Sequence, residues 1–427
     1  MRQYKDSGIE WIGKIPETWE TKRLKEIFVE RNNREAKGKT LLSVSQYYGI
    51  KPKAETDIAD SHIAESYEDY KVVEKGDFVM NIMLAWNGSY AVSDYEGIVS
   101  PAYCVYQFRT NCCHKYLHYL LRTDGYQTAF KTMSRGIIDS RLRLYPEQFY
   151  TFNTIFPPVS DQQRIADFLD TKCGEIDSLI ALQEQMIEKL KAYKQSVITE
   201  AVTKGLDPNA KLVPSGIDWI GEIPEGWEVI KAKYIADKIF KGNGITKEEV
   251  FTDGDTPCVR YGEIYTKYTH SFKKCISATK LDIQKSTQYF HYGDILCAGT
   301  GELVEEIGKS IVYLGEQACL AGGDIIVLKH HQDPSFLNYT LNSNYAQTQK
   351  SRGKAKLKVV HISAFEIGST YILLPPLSEQ QAIASYLDEK CSDIDRLIDL
   401  KQQKIEALKD YKKSVIYEAV TGKTIIG

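Results

Sequence analysis

The chain has 427 residues, 43% hydrophobic and 26% charged, with a net charge of −3; its length exceeds one ordinary core and predicts two or more domains. No apolar run approaches the roughly 20 residues that span a bilayer, and the start MRQYKDSGIEW has no apolar signal core. Nine cysteines without a C-x-x-C pair, the nearest being Cys112 and Cys113, argue against a zinc site or disulfide framework and lead us to expect reduced thiols and a cytoplasmic location.

In chain order the sequence is written twice. An arm, 1–19, carries SGIEWIGKIPETW at 7–19. A variable stretch, 20–156, follows, and then a helical spacer, 157–204, that begins PPVSDQQRIADFLD. The turn-rich GLDPN at 205–209 opens a linker and second arm, 205–227, with SGIDWIGEIPEGW at 215–227. A second variable stretch, 228–374, leads to a second spacer, 375–427, that begins PPLSEQQAIASYLD. Residues 157–203 and 375–421 align without a gap, and about two-thirds of their positions are identical.

The variable stretches match only thinly, at Gly76-Asp77 with Gly293-Asp294 and Ser134-Arg135-Gly136 with Ser351-Arg352-Gly353. In EKGDFVMNIMLAW (74–86) and YGDILCAGT (292–300) a Gly-Asp turn runs into a short apolar strand. Short helices are expected at 114–133 and 334–351, so each stretch reads as an α+β unit.

The spacers read as long helices. Ser160 and Ser378 stand three residues before Gln163 and Gln381, the spacing of a capping box. Ile176, Ile180, Ile187, Leu190 and Val197, and likewise Ile394, Ile398, Ile405, Leu408 and Val415, recur in steps of three and four. That coiled-coil period predicts mutual pairing, the alternative being two amphipathic helices each packed on its own domain. Gln183 and Lys401 interrupt the seam, and Gly174 allows a break.

No active site emerges. Ala298-Gly299-Thr300-Gly301-Glu302 looks like the glycine loop of methyltransferases, but no strand–helix series and no (Asp/Asn)-Pro-Pro-(Tyr/Phe) tetrapeptide accompanies it. There is no P-loop, G-x-S-x-G or H-E-x-x-H, and His330-His331 lack partners for a metal set. No catalytic, cofactor-binding or metal residue is therefore assigned. The weak net negative charge also requires that any contact with nucleic acid come from local patches or be shared with a basic partner.

Such patches exist. Lys350, Arg352, Lys354, Lys356 and Lys358 fall at every second position, so an extended strand would line them along one face to track phosphates. Arg135, Arg141 and Arg143 fall at the corresponding place in the first unit, and arginine suits bidentate contact with guanine. A solvated edge strand is the plainer alternative. Trp86, Asn87 and Tyr90 after the first Gly-Asp strand, and Thr300 and Glu302 after the second, are candidates for loops facing a DNA groove, or else ordinary turn and core residues.

The doubled S-G-I-(E/D)-W-I-G-(K/E)-I-P-E-x-W arm, the Pro-Pro-x-Ser-(Asp/Glu)-Gln-Gln helix start and the arm–variable–helix order resemble type I restriction-modification specificity subunits over the whole chain. The resemblance implies an α+β architecture of two target recognition domains joined by two long repeated helices that form an antiparallel, pseudo-twofold coiled coil. It implies a non-catalytic subunit in which each domain reads one half of an interrupted asymmetric site on double-stranded DNA. Two modification subunits would bring S-adenosylmethionine and adenine methylation, and restriction subunits ATP, Mg and cleavage; no membrane is involved. Helices of 30 to 40 residues, roughly 45 to 60 Å long, would hold two readers more than one DNA turn, about 34 Å, apart. A fused methyltransferase or nuclease lacks its motifs here, and a purely structural coiled-coil adaptor leaves the matched basic segments unexplained.

Overall fold

The computed structural model describes residues 3–34, 38–56, 67–136, 142–217, 220–242, 245, 248–251, 254–280, 288–354 and 359–426. Contacts divide the chain into two units, residues 1–184 with 403–427, and residues 185–402. Each unit therefore holds one arm, one variable stretch and one end of each long helix. Among the described residues no helix is long and apolar enough to cross a membrane.

In the first unit the arm is a hairpin of Tyr4–Asp6 with Lys14–Pro16. Glu20–Arg23 then pairs antiparallel with Asn153–Phe156, so the variable stretch leaves and returns on one ribbon. Between them an antiparallel sheet is ordered Phe28–Arg31, Tyr103–Phe108, Phe78–Asn81, Tyr90–Val92. Its core face is aromatic, with Phe28, Phe78, Tyr106 and Phe149 in ring contact. The stretch 114–133 folds as two helices, His114–Leu121 and Asp124–Met133. Each buries a stripe at helical spacing, Tyr116, Leu117, Leu120 and Leu121 on the first, Tyr126 and Phe130 on the second.

The second unit repeats this plan with little of the sequence. Leu212–Pro214 pairs with Glu222–Pro224, and Glu228–Lys231 with Tyr371–Leu374. The sheet runs Ala236–Lys241, Ile325–His330, Ile295–Ala298, Ser310–Tyr313, with Ser271–Phe272 added in parallel at the edge. A second five-stranded sheet of described strands packs nearby, and the stretch 334–351 folds as Pro334–Asn342 and Asn344–Ser351.

The shared Gly-Asp pairs are turn chemistry. Gly76 and Gly293 sit at φ 94° and 86°, which a side chain resists. Asp77 accepts from the Glu74 amide and Asp294 from the His291 amide, each at 2.8 Å, closing the turn. Burial raises both carboxyls above the usual range, with Arg31 beside one and Lys329 beside the other.

The long helices span Val159–Lys204 and Leu377–Val420. The first runs unbroken through Gly174, so the break that this glycine allows does not occur. The expected capping boxes do not form either. Each helix starts one residue before its serine, with the Pro158 and Pro376 carbonyls accepting the first-turn amides, so Ser160 and Ser378 are already helical. The preceding glutamines take over. Buried Gln162 accepts from the Cys113 amide and donates to the Pro157 carbonyl. Gln380 does the same between Asp333 and Pro375.

All ten seam residues are buried or half-buried, and Gln183 is buried within the seam. In the first unit Asp177 takes Lys412 at 2.7 Å, and Ala419 and Val420 enter the core. In the second, Lys194 takes Asp395 at 2.7 Å, and Ala201 and Val202 enter the core. The start of one helix thus lies along the end of the other, which is antiparallel pairing. Asp177 and Asp395 are one position of the repeat, and Lys194 and Lys412 another.

Candidate nucleic-acid interface

In both units a one-turn 3-10 helix follows the strand after the Gly-Asp turn, Ala85–Asn87 in the first and, beyond the short strand Thr300–Gly301, Val304–Glu306 in the second. Each turn packs on the unit's second short helix, and the chain leaving that helix folds back beside the strand. The Leu144 amide donates to the Ile82 carbonyl at 3.0 Å, and the Ile362 amide to the Gly299 carbonyl at 2.9 Å. The residues after the Gly-Asp strand and those around Ser-Arg-Gly, far apart in sequence, therefore share one end of each sheet.

In the first unit this end is cationic. Arg135 and Arg143 exchange two backbone hydrogen bonds of 2.9 Å in an antiparallel bridge, and both side chains are exposed. Arg141 lies outside the described residues. Trp86 is half-buried; its indole N–H donates to the Met83 carbonyl at 3.0 Å, and the Lys131 ammonium lies 5.2 Å from its ring centroid. Asn87 is half-buried and accepts from Ser89 at 2.8 Å. Tyr90 is a correction: it is fully buried and donates to the Leu121 carbonyl at 2.8 Å, which makes it a core residue with no face for a groove.

Sequence reasoning missed what holds this end in place. The guanidinium of Arg122 donates to the carbonyls of Gly88, Tyr90 and Gln46, tying the turn to a neighbouring hairpin. Behind it, burial and then Arg122 itself push His118 from the ordinary value near 6.5 down to about 3. His118 is therefore a neutral acceptor for the Val92 amide. Nothing in the spacing of Arg122 or His118 separates them from surface residues of a helix.

In the second unit the first of the alternating cations, Lys350, lies in the helix Asn344–Ser351 and not in an extended strand. Lys350 is a correction. It is 3% exposed, donates to the Gly308 carbonyl at 2.7 Å, and burial pushes its ammonium down to about 8. Lys354 also turns inward, donating to the His361 carbonyl at 2.6 Å and the Glu366 carboxylate at 2.7 Å. Arg352 stands exposed just past the helix; Lys356 and Lys358 lie outside the described residues. Thr300 is nearly buried, pairs with His361 in a short ladder, and shares a 3.1 Å hydrogen bond with its ring. Glu302 is exposed.

The glycine loop is likewise engaged by its own fold. The Gly299 amide donates to Asp324 and its carbonyl accepts from Ile362, so its backbone points at neighbouring strands. Among the described residues no cluster of three or more His, Cys, Asp or Glu could hold a metal. His330 ends a strand, and burial lowers it to about 4.

A family model described as type I restriction modification DNA specificity domain matches the chain twice, at residues 16–192 and 224–410. The type I restriction enzyme MjaVIII specificity subunit of Methanocaldococcus jannaschii is 25% identical, with 99% of this chain and 97% of the relative covered. The putative MjaX specificity subunit of the same organism is 26% identical over 96% and 95%. Among solved structures, a chain from a study of complex assembly and conformational transition of the type I R-M system superposes with a TM-score of 0.72 at 18% identity, covering 96% of this chain and 99% of that one. The HsdS subunit from Thermoanaerobacter tengcongensis gives 0.53 at 18% identity over 96% and 98%. These two likenesses are of fold.

Proposed function

This chain belongs to the type I restriction modification DNA specificity family, and from that premise we propose that its two variable units read the two halves of one interrupted, asymmetric DNA site. The observation that carries this reading is the contrast between framework and tip. Both units set four antiparallel strands in the same order and bring the same two segments to one end of them. Beyond the matched Arg135 and Arg352, the side chains there differ: Arg143 and Trp86 in one, Thr300 and Glu302 in the other. A common scaffold with different donors and acceptors suits two different half-sites.

Arg135, Arg143 and Arg352 are assigned to guanine edges or phosphates, with Arg141, Lys356 and Lys358 from the same segments of sequence. Arg122, Lys350 and Lys354 are positioning residues. The chain itself does no chemistry on this reading. Two modification subunits docked on the long helices carry S-adenosylmethionine, and restriction subunits carry ATP and Mg. The test is incubation of the purified chain with duplex DNA and labelled S-adenosylmethionine, with and without modification subunits. Methyl transfer only in their presence is expected; transfer by the chain alone, abolished by Gly299→Ala, overturns the assignment.

A further inference from the structure

The two units differ where the variable stretch returns to its ribbon. In the first the Leu24 amide donates to the Phe152 carbonyl at 2.8 Å, and in the second the Ala232 amide donates to the Thr370 carbonyl at 2.9 Å. Counting from this shared junction sets Phe28 against Ala236, Tyr150 against Gly368 and Glu147 against Phe365. The first unit fills the space with its own rings. Phe28 is buried against Phe149, and the Tyr150 hydroxyl accepts from the Glu30 amide at 2.9 Å. In the second unit the small residues Ala236, Ala364 and Gly368 leave an open cleft of about 350 Å³.

Phe365 lines this cleft and stands 77% exposed, where the first unit has a glutamate. Lys233 and Lys238 line it too, and both are exposed. Among the described residues neither ammonium takes a carboxylate. They lie 4.8 Å and 4.9 Å from the ring centroids of Tyr234, itself 68% exposed, and Phe240. The nearby acids have other partners: Asp237, also on the cleft, lies 3.1 Å from the His331 ring, and Glu366 takes Lys354.

A phenylalanine in water adds nothing to the core, and two unpaired ammonium groups in the same cleft call for a polyanion. An exposed ring beside cations is how proteins hold an unpaired strand, with bases stacked on the ring and phosphates on the cations. A duplex keeps its bases inside and offers the ring nothing. We propose that this cleft binds single-stranded DNA, one base against Phe365 and adjoining phosphates on Lys233 and Lys238. The site belongs to the second unit alone, since the first fills that space with Phe28 and Tyr150. It is separate from the tips and does not rest on their reading of a half-site.

The test is titration of the full chain with labelled oligothymidylate, with an abasic strand of equal length, and with a duplex of unrelated sequence. Fluorescence anisotropy gives each Kd. Oligothymidylate should bind more tightly than the abasic strand. Phe365→Ala should weaken it about 5- to 150-fold, the range of one base–aromatic stack, and leave the abasic strand and the duplex unchanged. The double variant Lys233→Ala, Lys238→Ala should lower the salt slope for both single strands by about 1.4, the value of two phosphate contacts. Melting temperatures should not move, because all three side chains are exposed.

The inference is overturned if Phe365→Ala leaves the oligothymidylate Kd unchanged, or if the abasic strand binds wild type as tightly, which would leave charge alone. It is overturned equally if Phe365→Ala weakens assembly with modification subunits but not strand binding, which would make the ring a protein contact. The map of methylated sites should be the same for Phe365→Ala and wild type; a changed half-site would place the ring in duplex readout instead. A wild-type complex without sequence preference would refute the proposed function and leave the cleft's affinity for the strand as it is.

Discussion

The indole N–H of Trp19 donates to the carboxylate of Asp161 at 3.1 Å, and Trp227 makes the same bond to Glu379 at the same distance. In each unit the arm is thereby fastened to the first turn of a long helix. Both tryptophans are buried. Trp19→Phe, which keeps a ring but removes the donor, should cost about 1–3 kcal/mol, and Trp19→Ala about 3–5 kcal/mol. Denaturant unfolding checks this; a Trp19→Ala chain that unfolds with the wild type would show that the arm is not part of the core.

Acid should weaken both units through histidines held neutral. Burial takes His118 and His270 down to about 3 and His330 to about 4, all from near 6.5. Between those values the unfolded chain binds protons that the folded chain refuses, so stability is full above about pH 6.5 and falls as pH drops below it. Thermal unfolding should come at progressively lower temperature from pH 6.5 to pH 5, and His118→Gln should flatten part of that slope. Identical slopes for wild type and variant would mean that His118 is protonated in the folded state.

The cations at the tips should separate into two behaviours. Arg135→Ala, Arg143→Ala and Arg352→Ala should leave melting unchanged. In the assembled complex each should either relax one base position at about 1–3 kcal/mol or weaken all sequences alike with a smaller salt slope. Lys350→Ala should instead lower the melting temperature, because it strands the buried Gly308 carbonyl, at about 1–3 kcal/mol. If the three arginine variants keep wild-type affinity and specificity, the tips face away from DNA.

A chain ending at Lys204 should form a homodimer. The first unit draws Val415, Ile416, Ala419 and Val420 from the second long helix. Their counterparts in the repeat are Val197, Ile198, Ala201 and Val202, identical residue by residue. A second copy can therefore fill the vacated place, and the Asp177 and Lys194 positions would meet across an isologous interface. Mass measurement at micromolar concentration decides it: a dimer is expected, and a stable monomer would show that the repeated helices do not pair by this symmetry.

The parts legible in the sequence were those that recur. The helix seam, the arms and the Gly-Asp strands are periodic or repeated, and the structure uses them as that pattern suggests. The misses have a common cause. Ser160 and Gln163 have capping-box spacing, but the prolines start the helix a residue earlier and Gln162 is tied to the distant Cys113 amide. Lys350 sits in an alternating cationic run, yet a helix carries it inward to Gly308. Arg122 organises the first tip through three carbonyls that no local spacing announces. Long-range partners decided each case, and local pattern does not encode them.

The most direct measurement is the map of methylated adenines in the genome of cells expressing this chain with its modification subunits. The account predicts a single interrupted site with two different halves; Arg135→Ala or Arg143→Ala, where it relaxes readout, should change only the half read by the first unit, and Arg352→Ala only the other. A continuous site, two identical halves, or changes in both halves from one arginine would contradict it.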